Sequence, residues 1–399
     1  MELTRQTLHD LSKLQTNSHP ILSAYLNVDP ATGNLVSYPV VFRDRVRALA
    51  ATLQDEAERA ALEREAQRVL RFLEHDFVRT GKGLAIFSAE PAGLWEVQQL
   101  LAPVPNLVYL NREPVLGPLV RVAEDLERTA VLLVDKEHAR LYTLRLGEIE
   151  DQSAIFDEVP GKHSQGSWSR GMSFPAMSQG GLAQPGSHGL GGGSRGGVEY
   201  DRHIEYHVRE HMKHALSRLD LFARGRPFGR LILGGPQEAL ADFRQVLPPQ
   251  LAQRVIGTLT LSLEAPAEEV RLAALEMARR WEQEDEERRV RELLEGAALG
   301  GRAVVGWTPT LQALQFGKVW RLLVAEGFAA PCFECPQCGY LSATEGACPA
   351  CDRPLTEVQD GVSHAIVLAL RQDGDIEVVA EHAAAVLRDH GGIGAIVRF

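Results

Sequence analysis

Four cysteines stand in two matching knuckles, Cys335-Pro-Gln-Cys338-Gly and Cys348-Pro-Ala-Cys351, with nine residues between them. Two thiolates two residues apart can fold back onto one ion, and Pro and Gly shape the tight turn. Two such knuckles complete a tetrahedral four-thiolate shell of the kind Zn2+ favours. A shell filled by protein ligands leaves no position for water, so the expected role is structural. Two redox dithiols are the alternative chemistry of the same residues. Cys332 also has CxxC spacing to Cys335 and could replace one ligand, but the CPxCG and CPxCD patterns favour the later four.

A second group of residues lies in the loop 161–197, GKHSQGSWSRGMSFPAMSQGGLAQPGSHGLGGGSRGG. It holds 12 of the 36 glycines, seven serines, Lys162, Arg170 and Arg195, and no Asp or Glu. At 37 residues it is too long for a simple connection. Glycine lets backbone N–H groups approach a ligand where a Cβ would collide. Cations without acids suit a phosphate-lined channel, and Trp168 and Phe174 can stack on bases. A flexible surface tether is the competing reading of the same composition. Gly191, Gly193 and Gly196 satisfy GxGxxG, and Gly192 to Gly196 satisfy GxSxG. No strand leads into either match, so both are discounted as dinucleotide fingerprint or nucleophile elbow.

The helix expected over 198–219 carries His203, His207 and His211 at i, i+4 and i+8, with His214 nearby. That spacing can place a metal on one face; polar residues on a helix flank are the plainer reading. Ile204, Val208, Met212 and Leu216 form its core stripe.

The elements that must position these groups divide into three blocks: an N-terminal α/β domain over 1–125, a middle domain over 126–264, and a C-terminal α/β domain over 265–399. The first block opens with a capped helix and an apolar strand over 21–28 that ends at Asp29-Pro30. One long helix over about 41–77 follows, then short strands over 83–88 and 94–100. Arg43, Arg45, Arg47, Arg59, Arg64, Arg68 and Arg71 could make a cationic ridge, but they read better as a solvated face interleaved with acids. The middle block has a very apolar strand over 130–134, a hairpin partner over 139–146, and a strand Leu231-Ile-Leu233 before the turn Gly234-Gly235-Pro236. The last block opens with a helix from 267 to about 294, on which Glu284/Arg288 and Glu287/Arg291 are spaced as solvated i,i+4 pairs. No internal repeat is visible.

The chain has 399 residues, is 45% hydrophobic and 24% charged, and carries a net charge of −11. This is the balance of a multidomain globular protein, not of a disordered, collagen-like or coiled-coil chain. The charge argues against a general nucleic-acid coat but not against local RNA contact. No apolar run approaches membrane-spanning length, and the N-terminus does not read as a secretory signal. The expected location is cytoplasmic, with no membrane partner.

Taken in order, ILSAYLNVDP, AVLLVDKEHARLY, the glycine loop, YDRHIEYHVREHMKHAL, ALQFGKVWRLLV, the cysteine knuckles and GGIGAIVRF resemble a bacterial member of the archaeal–eukaryotic class-one release factor superfamily. Its relatives include Pelota and the hibernation factor Balon. The resemblance implies an RNase H-like middle domain and a loop that reaches the peptidyl-transferase centre. It also implies a C-terminal domain like kink-turn-binding ribosomal proteins, with a zinc-ribbon mini-domain over 332–355 inserted. It makes Lys162, His163, Gln165, Trp168, Arg170, Gln179, Arg195 and Arg202 candidates for rRNA or tRNA contact.

Two departures from the family pattern matter. There is no Asn-Ile-Lys-Ser stretch in the N-terminal block, which speaks against stop-codon reading. The loop has no Gly-Gly-Gln tripeptide. Registering GGGSRGG on the family's loop-to-helix junction puts Gly191 and Gly192 at the two glycines and Gly193 at the glutamine. Ser178-Gln179-Gly180-Gly181 offers the residue types in the wrong order. If the protein hydrolyses anything, Gly191, Gly192, Gly193 and Ser194 are the candidate catalytic positions. The resemblance therefore implies occupancy of the A site of the 70S ribosome, for hibernation or protection, beside P-site tRNA and with a translational GTPase as a candidate delivery partner. Peptidyl-tRNA hydrolysis in ribosome rescue and nuclease action on the tRNA end are the enzymatic alternatives.

Overall fold

The structure, a computed structural model, describes residues 3–14, 16, 19–32, 38–125, 127–157, 195–358 and 360–398. They form two compact units, 128–279 on one hand and 1–127 with 280–399 on the other.

The first block opens with helix α1 (Arg5–Ser12), whose N-cap Thr4 accepts a hydrogen bond from Thr7 N–H in a capping box. Strand β1 (Ile21–Asn27) follows. The single helix expected over 41–77 is instead two, α2 (Tyr38–Ala50) and α3 (Glu56–Arg71). The break has a local cause. Asp55 caps α3 through Ala57 N–H at 2.9 Å, and the Arg59 guanidinium takes the Leu53 carbonyl at 2.9 and 2.6 Å. The two helices fold back over one face of the sheet made with β2 (Gly83–Ala89), β3 (Leu94–Leu100) and β4 (Leu107–Asn111), in the order β3-β2-β1-β4 with every pair antiparallel. Leu22, Ala24, Leu26, Leu84 and Ile86 meet Phe42, Leu62, Ala66 and Val69 there. The arginines of these helices are interleaved with acids, as expected: Arg43 pairs with Glu74, Arg47 with Asp44 and Arg64 with Glu65. Arg68 lies 4.6 Å over the Trp95 ring. Helix α4 (Gly117–Asp125) closes the block.

The unit 128–279 is built on a five-stranded sheet. Strands β5 (Thr129–Val134), β6 (His138–Arg145) and β7 (Glu148–Phe156) form an antiparallel meander. Helix α5 (Arg195–Gly225) precedes β8 (Arg230–Gly234), α6 (Gln237–Val246), α7 (Pro249–Ala252) and β9 (Val255–Leu259). Strands β8 and β9 add parallel to β5, giving the order β7-β6-β5-β8-β9. Strand β5 is apolar from Ala130 to Val134 because both faces are covered. Ala130, Leu132 and Val134 pack with Val208, Met212, Ala215, Leu219 and Phe243 of α5 and α6. Val131 and Leu133 pack on the opposite face with Val270 and Ala274 of helix α8 (Ala267–Ala298). Gly235 ends β8 at φ +130, where a Cβ would stand 2.1 Å from the Val134 carbonyl oxygen.

The second half of α8 belongs to the other unit. Arg288 turns to Asp285 and Glu292, and Arg289 joins buried Asp285 to buried Glu377, in place of the i,i+4 pairs expected on this helix. Strand β10 (Ala303–Val305), α9 (Trp307–Gln315) and β11 (Val319–Ala325) lead into a small three-stranded insert. Its strands are β12 (Cys332–Glu334), β13 (Leu341–Ser342) and β14 (Thr356–Val358), ordered β13-β12-β14. Helix α10 (Gly361–Arg371), β15 (Asp375–Val379), α11 (Glu381–Asp389) and β16 (Ile393–Val397) complete a mixed sheet in the order β10-β16-β11-β15. Leu293, Leu323, Val379 and Leu387 are at its core.

Within this unit the first and last blocks are joined by polar contacts. The Arg371 guanidinium donates to the Ser12 carbonyl at 2.6 Å and pairs with Glu113, which also lies 2.8 Å from His364 Nδ1. No described helix is long and apolar enough to cross a membrane.

Candidate functional site

The cysteine insert is the best-defined site among the described residues. Its two knuckles have the same backbone. In the first, Cys335 N–H donates to the Tyr340 carbonyl at 2.8 Å and Gly339 N–H returns to the Cys335 carbonyl at 2.9 Å. In the second, Cys348 N–H donates to Arg353 and Asp352 N–H returns to Cys348, both at 2.8 Å. The residue after each second cysteine sits in the left-handed region, Gly339 at φ +70 and Asp352 at φ +55. Glycine takes this conformation freely, and aspartate is among the few side chains that tolerate it.

These turns bring four sulfurs together. Cys335 and Cys351 are 3.2 Å apart, Cys338 and Cys348 3.5 Å, and Cys338 and Cys351 3.8 Å. A tetrahedral ion with bonds of about 2.3 Å requires ligand sulfurs about 3.8 Å apart, so the donor set fits a metal of that size. Desolvation works to raise the Cys335 thiol, but the backbone N–H groups of Cys338 and Gln337 hold it down to about 6. Contact with Cys335, followed by burial, pushes Cys351 up to about 12. Four thiols this close cannot all ionise without a cation to share, and a divalent metal supplies that charge. Cys332 is a different kind of residue. It packs with Leu311 and Leu341, and burial pushes its thiol to about 12. The group that can hold a metal is Cys335, Cys338, Cys348 and Cys351.

Of the glycine loop, the described residues are 195–197, at the start of α5. Lys162, His163, Gln165, Trp168, Arg170, Gln179 and Gly191 to Ser194 lie outside the described residues. Arg195 and Arg202 fall in the first turns of α5. Further along that helix, His211 is fully buried. Its Nδ1 is 2.8 Å from Asp157 Oδ2, and the exposed His214 places its Nδ1 3.1 Å from the same oxygen. The histidines therefore share a carboxylate, and among the described residues they do not join a metal-ligand cluster. Desolvation tends to raise the Asp157 carboxyl, but hydrogen bonds from His211 and His214 hold it below the ordinary carboxylate range. Sequence reasoning missed Asp157. Its only signal was its place, at the end of β7 and immediately before the glycine loop.

Residues 114–279 match the family described as bacterial archaeo-eukaryotic release factor family 10. Over that stretch, less than half of its length, the chain is similar to the archaeal–eukaryotic release factor superfamily. Curated relatives of this release-factor-like chain include peptide chain release factor subunit 1 of Methanopyrus kandleri, 25% identical over 246 residues. That alignment takes in 60% of this chain and spans about half, 53%, of the relative. The same factor of Methanosphaera stadtmanae is 22% identical over 306 residues, 71% of this chain and 68% of the relative. Similar solved structures include an archaeal translation termination factor at 17% identity, covering 99% of this chain and 98% of that one with a TM-score of 0.26. Archaeoglobus fulgidus Pelota is 15% identical over 81% of each chain, with a TM-score of 0.31.

Proposed function

We propose that this release-factor-like protein is a translation factor that occupies the A site of the 70S ribosome and directs its glycine-rich segment toward the peptidyl-transferase centre. Ribosome hibernation or protection is the purpose that best fits its residues. The observation that carries this reading is the 37-residue segment 161–197, rich in glycine, holding three cations and no acid, inside the stretch that matches the release-factor family. Such a segment can approach RNA phosphates closely without charge repulsion. The strand order β7-β6-β5-β8-β9 supports an RNase H-like middle domain. Gly193 in the register of the family's glutamine removes a side-chain amide from any reacting centre, which favours occupancy over hydrolysis. Four cysteines around one Zn2+ would fold the insert at 332–355 and leave no ligand position for catalysis. Peptidyl-tRNA hydrolysis remains the second reading, because Gly191 and Gly192 still offer backbone N–H groups at the same place.

The test is binding to purified 70S particles, with chemical footprinting of the ribosomal RNA. Protection is expected at A-site and peptidyl-transferase nucleotides and is expected to vanish when 164–195 is replaced by a Gly/Ser linker. Protection confined to other surfaces, or unchanged by that replacement, overturns the reading.

A further inference from the structure

The described residues that flank the glycine-rich segment are Asp157, after β7, and Arg195, the first residue of α5. Strand β7 is an edge of its sheet, and its last rung is the bond from Asp157 N–H to the Glu137 carbonyl at 2.8 Å. The end of an edge strand has a ladder partner on one side alone and frays readily. Here its last residue is bound from the side. The Asp157 carboxylate meets two imidazoles from α5, His211 at 2.8 Å and His214 at 3.1 Å.

The pair of histidines is not redundant. His211 lies among the core residues Val208, Met212 and Ala215, and its Nε2 is buried with no hydrogen-bond partner among the described residues. A carboxylate can only accept, so the His211 Nδ1 carries the proton of that bond. Losing Asp157 would therefore orphan both sides of a buried ring, which is the costly way to lose a hydrogen bond. His214 is 60% exposed and closes the carboxylate from the solvent side. The geometry is that of a bridging carboxylate, not of three ligands converging on one ion.

We propose that Asp157, His211 and His214 form an anchor that fixes the departure point of the glycine-rich segment on the flank of α5. The three act as positioning residues for the ribosome contact proposed above, and in that respect the inference rests on that reading. His211 is sixteen residues into α5, so the segment's two ends are held ~24 Å apart along the helix at 1.5 Å per residue. Fixing one end restricts where the middle of a tethered chain can go and raises its effective concentration at a target. Released, Asp157 and the end of β7 would no longer hold that departure point.

The experiment uses the full chain and reads hydrogen exchange and 70S binding separately. Asp157→Ala and His214→Ala alter groups that are partly or largely exposed, and both are expected to fold, Asp157→Ala with a lowered melting temperature because it leaves the buried His211 ring unpaired. His211→Asn keeps an amide donor close to the Nδ1 position and serves as the conservative rescue, whereas His211→Ala removes it. Asp157→Ala and His211→Ala should speed amide exchange at Phe156 and at position 157 about tenfold or more and weaken 70S binding by a similar factor, with His211→Asn near wild type. Unchanged exchange in Asp157→Ala overturns the anchor, whatever the ribosome does. Faster exchange with unchanged 70S affinity overturns the positioning role and leaves the ribosome reading standing. If the wild type does not bind 70S particles, the ribosome reading fails, while the exchange comparison still decides whether the anchor exists.

Discussion

Cys332 and Cys338 lie in the same three-stranded insert, yet their sulfurs have opposite demands. Cys332 is wrapped in Leu311 and Leu341 and remains a thiol. Cys338 sits within 3.8 Å of two other sulfurs, a spacing that thiols do not need and a shared cation does. Elemental analysis is therefore expected to find one zinc per chain, with Cys338→Ser losing it and lowering the melting temperature. Cys332→Ala should retain the metal and lose on the order of 1 kcal/mol of stability from packing. Retained zinc in Cys338→Ser, or a melting temperature indifferent to chelation, would sink the four-thiolate assignment. A second residue-scale prediction concerns half-buried Glu113 and His364. Desolvation works to raise Glu113, but His364 and Arg371 hold its carboxyl below the ordinary value of 4.5. Desolvation works to lower His364, but the bond to Glu113 holds it above 6.5. The lowered carboxyl stabilises the fold above pH 4.5 and loses this as pH falls through its folded value. The raised imidazole stabilises it below pH 6.5 and loses this as pH rises through its own. The pair contributes fully between those limits. The gap in melting temperature between wild type and His364→Gln should be widest near pH 5.5 and should narrow as pH rises above 6.5 through the folded value of His364. A gap that grows with pH contradicts this sign.

At the scale of elements, the segment between β7 and α5 should be dispensable for the fold but not for function. Its exit at Asp157 lies beside His211, ~24 Å along α5 from the re-entry at Arg195, so the shortest tolerated replacement follows from chain reach. Cutting 164–195 outright leaves about seven links, which span that distance only when fully extended. Replacement of 164–195 by a twelve-residue Gly/Ser linker should keep the melting temperature within about 2 °C, whereas the bare deletion should strain the start of α5. A large loss of stability with the long linker would mean the segment is packed structure. Which elements were legible in the sequence follows from the same physics. Strand β5 announced itself because both its faces are buried, and the cysteine spacing announced its turns because the ligand geometry is local. Strand β7 did not, since Glu148, Glu150 and Asp151 on a half-solvated edge look like loop. The break between α2 and α3 was hidden by helix-forming residues on both sides, and only the Asp55 cap and the Arg59–Leu53 contact reveal it. Asp157 could not be found from sequence because its partners are more than fifty residues away.

For the molecule as a whole, charge and loop chemistry together separate occupancy from hydrolysis. The chain carries −11, so its attraction to a polyanion must come from local cations such as Lys162, Arg170 and Arg195. Three phosphate contacts predict a slope of about −2 to −3 in log affinity against log salt, or roughly thirtyfold weaker 70S binding between 50 and 200 mM. A flat salt response would remove those side chains from the interface. Binding alone does not decide what happens at a peptidyl-tRNA ester. Hydrolysis needs an oriented water and donors at the developing oxyanion, and loss of one such donor costs about 100- to 1,000-fold in rate. With Gly193 in the glutamine register, single-turnover peptide release from ribosomes holding P-site peptidyl-tRNA should be slower than that of a dedicated release factor by at least that margin. Gly193→Gln should recover part of it without changing 70S affinity, because the added amide acts on the ester and not on the RNA phosphates. Release by the wild type at a release-factor rate would hand the function to the rescue hydrolase. An unchanged rate in Gly193→Gln would mean that position 193 does not stand where the register places it, and Gln179 would become the residue to test next.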